Sequence, residues 1–226
     1  MLATDELGAG RLRGMRPITD DCFQLERSRG ANGYVVRGRG RTAVIDPGMS
    51  SGYEHVLAEL RGSLERTGPV TDLLLTHYDV DHAAAAARLQ RALDVPVWIS
   101  APDAAILRGE VAPATRLRRL ILRLAPITYP SEVRELTGAG EVFDGLTTFP
   151  TPGHTPGHVA YQWGNVLFTG DAVTVSATGE LRQFFGPIIS DKPRARATQT
   201  LLTERIAALG IEWVCAGHSA PARVRR

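Results

Sequence analysis

Thr76-His77-Tyr78-Asp79-Val80-Asp81-His82 is the stretch whose reading decides the fold of this chain. Three apolar residues, Leu73 to Leu75, precede it, and an alanine-rich run begins at Ala83. That order reads as a short strand, a tight turn and the opening of a helix. The turn carries four side chains able to ligate a metal, His77, Asp79, Asp81 and His82. Strand ends present side chains at the rim of a rigid sheet, where sites are commonly built. A loop that turns onto a helix splays alternate side chains towards two points rather than one.

The same placement recurs along the chain. His154 and His158 lie in Thr151-Pro152-Gly153-His154-Thr155-Pro156-Gly157-His158. Asp171 follows the run Val166-Leu167-Phe168-Thr169-Gly170, and His218 follows Trp213-Val214-Cys215-Ala216-Gly217. A lone histidine is ordinarily a hydrogen-bonded structural residue; it is the joint arrangement that singles out a site. His and Asp ligands without a thiolate suit zinc, iron or manganese. His77, Asp79, Asp81, His82, His154, Asp171 and His218 are too many for one tetrahedral ion, so two divalent metal ions are expected, zinc first, with iron or manganese the alternatives that Asp79 raises.

Length and composition set the frame. A chain of 226 residues suits one domain with a large apolar core. Twenty-six basic against 24 acidic residues leave a net charge of only +2, so nothing calls for a nucleic-acid or membrane partner. Cys22 and Cys215 form no CxxC pair and read as buried free thiols, with a zinc-thiolate role for Cys215 as the alternative. No signal-peptide core and no run of membrane-spanning length are found, so a cytoplasmic protein acting on a small molecule is the expectation. Oligomeric state is not legible.

Residues 1–17 read as a flexible arm and 18–226 as a single domain with a helical insertion at about 102–137. Strand-like runs at Cys22 to Leu25, Tyr34 to Val36 and Thr42 to Ile45 end in the turn Asp46-Pro47-Gly48. A helix from Tyr53 to Arg66 with Ser51 as cap follows, then a helix from His82 to Leu93 and a strand from Val95 to Ile99. Within the insertion, Ala104 to Arg108 is a short helix and Arg116 to Leu124 a stronger one. The latter has Leu117, Leu120, Ile121 and Leu124 on one face and Arg116, Arg119 and Arg123 on another, expected to be solvated. Strands return at Glu141 to Phe143, Leu146 to Phe149, Val159 to Trp163 and Val166 to Phe168. A helix from Asp191 to Leu209 and a strand from Glu212 to Cys215 close the chain. Two sheets packed face to face between helices are predicted.

From about residue 20 to 221 the chain resembles the metallo-β-lactamase fold superfamily. Its Thr-His-x-His-x-Asp-His pattern stands here as Thr76 to His82, and Thr-Pro-Gly-His-Thr-Pro-Gly-His is similar to that of the glyoxalase II-like and lactonase-like branches. Gly170-Asp171 and Gly217-His218-Ser219 resemble the last two ligand motifs. Asn32-Gly33-Tyr34-Val35-Val36 and Ile45-Asp46-Pro47-Gly48 resemble the opening strands. The resemblance implies an α/β fold, a four-layer αββα sandwich, and a hydrolase with a dinuclear metal centre.

It further implies a first metal position on His77, Asp79 and His154. The second would lie on Asp81, His82 and His218, with Asp171 bridging and the ions on the order of 3.5–4 Å apart. Asp81 and Asp171 are the catalytic candidates, and a metal-bridging hydroxide would attack an ester, thioester or lactone. Asp79 departs from the pattern, which has histidine there. A carboxylate shifts preference from zinc towards iron or manganese, and flavodiiron proteins carry one at this position. A di-iron oxidoreductase is therefore the alternative, and a phosphodiesterase or nuclease a weaker one. Tyr78, His158, Phe184 and Phe185 are candidates to support the ligands or to touch substrate.

Overall fold

The structure, a computed structural model, describes residues 14–224. Seven strands form the first sheet in sequence order: β1 (Arg16–Pro17), β2 (Cys22–Gln24), β3 (Tyr34–Arg37), β4 (Thr42–Ile45), β5 (Asp72–Leu74), β6 (Val97–Ser100) and β7 (Val133–Leu136). The first four pair antiparallel as hairpins, and β4 to β7 run parallel. Parallel neighbours need crossovers, and helices supply them. These are α1 (Tyr53–Gly62), α2 (Leu64–Thr67), α3 (Val80–Ala83), α4 (Ala86–Leu93), α5 (Ala101–Leu107) and α6 (Arg116–Leu124).

The second sheet contains β8 (Gly140–Phe143), β9 (Leu146–Pro150), β10 (Val159–Trp163) and β11 (Val166–Gly170). A short hairpin of β12 (Thr174–Val175) and β13 (Leu181–Arg182) follows, then helix α7 (Lys192–Ala208). Strands β14 (Trp213–Ala216) and β15 (Ala222–Arg223) complete the sheet, in the order β15-β14-β11-β10-β9-β8.

The period-two alternation of the strands sorts the core into layers. Tyr34, Val36, Ala43, Ile45 and Leu74 point inward and meet Val159, Tyr161, Val166 and Phe168 of the second sheet. Their neighbours Val35, Val44, Leu73 and Val97 point outward and pack under Val56 and Leu60 of α1 and Leu89 of α4. On the far side Ala160, Leu167 and Val214 pack under Leu202 and Ile206 of α7. The result is the four-layer αββα sandwich. Cys22 and Cys215 lie in the layer between the sheets, fully buried and free, and burial pushes the Cys22 thiol up to about 12.

Several boundaries differ from expectation. Part of the predicted arm, residues 1–13, lies outside the described residues, but Arg16–Pro17 form an edge strand and Met15 is buried. The helix after Ser51 breaks at Ser63, and Ser51 does not cap it. The insertion is not wholly helical, because Val133–Leu136 form the outer strand of the first sheet. Pro102 sits in the first turn of α5, where its missing N–H costs nothing.

Helix α6 faces the opposite way from the amphipathic reading. Leu117, Leu120 and Leu124 are exposed at 40%, 53% and 78%, while Arg118 is 1% exposed and among the largest fully buried side chains. Arg116, Arg119 and Arg123 do face solvent. Arg118, which belonged to neither expected face, points inward beside the half-buried Ile121 and Leu122. The reason is an ion pair described below.

Candidate metal centre

Strands β5, β11 and β14 end at one edge of the sandwich, and the loop after β9 reaches the same edge. Asp46 organises the first part. Its backbone is left-handed (φ 51°), which aspartate tolerates. Its carboxylate accepts the Thr76 amide at 2.8 Å and the Thr76 hydroxyl at 2.6 Å, and contacts His82 Nδ1 at 2.9 Å. Fixing the outer nitrogen of His82 turns its Nε2 inward, the arrangement in which carboxylates orient metal-binding histidines. Thr76 Oγ1 lies 3.0 Å from His77 Nδ1 and orients that ring likewise.

His158 is not aimed into the centre. Its Nδ1 is 2.8 Å from the Thr151 hydroxyl, and its Nε2 accepts the Asp171 backbone amide at 3.2 Å. Burial, with His77 and His154 nearby, holds it well below the usual histidine range, so it stays neutral and positions Asp171. Asp103 of α5 ties down the Thr-Pro-Gly-His loop. It accepts the Thr155 hydroxyl at 2.7 Å and the Gly157 amide at 2.8 Å. Burial raises its carboxyl to about 6 despite those bonds. A side chain at Gly157 would overlap Ser100 and Asp103, and one at Gly217 would overlap Asp171 and His82. Both glycines let backbone approach where no Cβ fits.

Two groups of ligating atoms result. His77, His154 and Asp171 form the first, all buried; Asp81, His82 and His218 form the second, nearer solvent. Within each group the atoms lie within 4.8 Å of one another. His218 Nε2 is 3.0 Å from Asp81 Oδ2 and 3.3 Å from Asp171 Oδ2. His82 Nε2 is 3.3 Å from Asp171 Oδ1, and His154 Nε2 is 3.6 Å from Asp171 Oδ2. Asp171 thus stands between the two groups. His77 Nε2 and Asp171 Oδ1 are buried and lack a hydrogen-bond partner among the described residues. Orphaned buried polar atoms are costly, and a converging set of them fits a cation.

Charge distribution follows the geometry. Burial opposes ionisation of Asp171, but His82 and His218 outweigh it and hold the carboxyl well below the usual range. Burial likewise works against the charged form of His218, yet Asp171 and Asp81 raise it to about 9. Burial lowers His154 to about 4.

Asp79 joins neither group. At the N-cap of α3 its side chain makes no capping bond. Instead Arg118 Nε donates to Oδ1 at 2.7 Å and an Arg118 terminal amine to Oδ2 at 2.8 Å. This is a bidentate, buried ion pair. Burial opposes the Asp79 charge, but hydrogen bonds with His154 and Arg118, with His77 Nε2 3.4 Å away, hold it well below the usual range. The expected ligand is therefore paired with a cation that the chain supplies.

Among the remaining candidates, Tyr78 is fully buried in the outer core layer, with the Arg118 guanidinium 5.7 Å from its ring centroid. That leaves it packing rather than facing substrate. Phe184 lies between the groups, 5.2 Å from the His154 ring and 5.3 Å from the His218 ring. Phe185 is 63% exposed and turns away. Cys215 belongs to the core and, among the described residues, is in neither group of ligating atoms.

The model of the metallo-beta-lactamase superfamily matches residues 28–218. The chain belongs to that superfamily. It is 28% identical over 200 residues to the probable metallo-hydrolase YflN of Bacillus subtilis, covering 79% of this chain and 75% of that protein. It is 30% identical over 168 residues to a hydroxyacylglutathione hydrolase of Anaeromyxobacter dehalogenans, covering 69% of this chain and about half (54%) of that enzyme. Among solved structures, TTHA1623 in a di-iron-bound form is similar with a TM-score of 0.64 and 29% identity, covering 85% of this chain and 89% of that one. The protein is a metal-dependent hydrolase, and the fold implies divalent metal ions. Among the described residues no helix is long and apolar enough to cross a membrane.

Sequence reasoning missed Asp46, Asp103 and Arg118. Asp46 stood in Ile45-Asp46-Pro47-Gly48, read as a turn and as part of the family resemblance but given no task at the site. Arg118 falls off the face shared by Arg116, Arg119 and Arg123, but nothing in the sequence names its partner.

Proposed function

We propose that this chain hydrolyses a carboxylic ester, thioester or lactone, with His82, His218, Asp81 and Asp171 as the principal metal ligands. The observation that carries the reading is the convergence of these four side chains, held from behind by Asp46 and His158, at one open edge of the sandwich. A divalent ion bound there supplies Lewis acidity, which acidifies water and polarises an acyl oxygen. Asp81, 34% exposed and beside His218, is the group placed to orient the attacking water and take its proton.

Zinc is the proposed metal. The case for iron or manganese rested on Asp79 as a hard ligand, and that carboxylate is spent on Arg118. The groups that remain are rich in histidine, which zinc accepts readily. TTHA1623 is similar to this chain and was solved with two irons, so metal identity belongs in the test.

Substrate class is supported by two hollows flanking the second group. An apolar cavity of about 300 Å³ lies beside Asp81, lined by Met49, Val80, Ile121, Leu122 and Ile188. A polar hollow of about 340 Å³ lies on the other side of His218, lined by Arg16, Gln24, Asn32 and Ser219. An acyl compound with an apolar substituent and a polar leaving group matches that pair. The exposed arginines of α6 line neither hollow, which disfavours a nucleic-acid substrate.

The test is a panel of lactones, thioesters, aryl esters and phosphodiesters assayed on the chain as purified, after chelation and after zinc is restored. Acyl hydrolysis lost with chelation and recovered with zinc is expected. Phosphodiester cleavage without acyl hydrolysis would overturn the reading.

A further inference from the structure

We propose that the Arg118 guanidinium takes the place of the first metal ion, so that the chain holds one ion tightly, on Asp81, His82, His218 and Asp171. This rests on the metal-dependent reading above. It departs from the two-ion centre that the number of ligands predicts.

The argument is one of lone pairs and charge. His154 Nε2 is 2.8 Å from an Arg118 terminal amine and 3.0 Å from Asp79 Oδ2. Whether that nitrogen accepts from Arg118 or donates to Asp79, its single in-plane direction is used by the ion pair. A zinc–nitrogen bond of about 2.0–2.1 Å needs the same direction. Asp79, the third ligand expected at that position, already has both oxygens bonded to Arg118. The first position is thus left with His77 and a share of Asp171.

Arg118 is also built into place rather than resting there. Thr115 caps α6 and accepts the Arg118 backbone amide at 3.2 Å. The remaining guanidinium N–H groups donate to the Ser190 hydroxyl at 2.9 Å and to the Ile188 carbonyl. To admit an ion, Arg118 would have to break all of these bonds. A guanidinium cannot lose its charge at any working pH, so protonation chemistry offers no release. An ion entering beside it would also meet a like charge within a few ångströms in a site closed to water, where such repulsion is weakly screened.

The second position lacks the fixed guanidinium: its histidine nitrogens face carboxylates, and a proton they hold is released when an ion binds. Among the described residues no arginine or lysine pairs with Asp81, whose partner is the titratable His218, and Asp171 shares its carboxylate between His82 and His218. The contrast gives an ordering of affinities. It also gives Arg118 a role in the reaction, as a fixed positive group beside the reacting centre that requires no loading.

The experiment measures zinc binding to the metal-free chain by chelator competition, with metal content after gel filtration as a second readout. The wild type is expected to hold one equivalent tightly. Arg118→Met is expected to bind a second equivalent roughly 10–100-fold more tightly than the wild type does, the scale on which outer partners of ligands act. Because that variant breaks a buried ion pair, His154→Ala and His218→Ala provide an independent measurement: the tight equivalent should survive the first and be lost in the second. Two tight equivalents in the wild type, loss of the tight equivalent in His154→Ala, or an unchanged second affinity in folded Arg118→Met would each overturn the proposal. No tight zinc in the wild type would overturn the metal-dependent reading itself, and this inference with it.

Discussion

Replacing Arg118 by Met in the metal-free chain should destabilise it by about 3–5 kcal/mol, the range for breaking a buried ion pair from one side. The guanidinium makes two bonds to Asp79 at 2.7 and 2.8 Å, one to Ser190 at 2.9 Å, and others to His154 and Ile188. Each charge-assisted bond contributes roughly 1.5–3 kcal/mol, and desolvating the two ions costs several kcal/mol apiece. The pair itself therefore nets little. Its truncation is costly because Asp79, only 7% exposed, keeps its charge without a partner. Urea unfolding of the metal-free wild type, Arg118→Met, Asp79→Asn and the double variant would measure this. The double variant should recover about 2–3 kcal/mol relative to additivity. The surface pair Arg88–Glu54, with side chains 45% and 72% exposed, serves as control and should lose no more than about 1 kcal/mol. If Arg118→Met loses as little as that control, or the double variant is simply additive, the reasoning about a buried compensating cation is refuted.

Three further outcomes follow from the same structure. Asp103, raised to about 6 from an ordinary 3.8, contributes stability that is full below 3.8 and lost as pH rises through about 6. Asp103→Asn lacks that loss, so the variant should gain up to about 3 kcal/mol on the wild type between acid and neutral pH; a pH-independent difference in denaturation midpoint would sink this. Gly217→Ala pushes a methyl into Asp171 and His82, and should weaken zinc binding by about tenfold or more in a chelator competition; unchanged affinity would show that the approach of β14 is not needed. Ile121→Phe fills part of the 300 Å³ cavity and should lower kcat/KM for substrates with bulky acyl groups by about 10-fold or more, sparing acetyl substrates; equal effects on both would place the acyl group elsewhere.

Asp79 and Arg118 show where local pattern stops informing. Asp79 stood at a ligand position of a motif, and its identity as aspartate pointed to a harder metal. Its partner lies 39 residues away, on a helix whose spacing placed its leucines inward. Helical periodicity sums hydrophobicity along one segment and carries no term for a distant counter-charge. Once Asp79 is buried, pairing it with Arg118 outweighs burying Leu120 and Leu124, and the helix rotates accordingly. Asp46 shows the milder case: its motif was visible, but the Thr76 and His82 contacts that give it a task exist only after β4 and β5 pair.

The sequence by itself determined the sandwich and which six side chains, each able to ligate a metal, gather at its edge, because strand alternation and strand-end placement are local properties that survive without knowledge of neighbours. Only the tertiary structure decided what becomes of the seventh, Asp79, and which arginine is buried. Those are questions of compensating a charge in a dry interior, and the answer depends on which opposite charge the fold brings within hydrogen-bond reach.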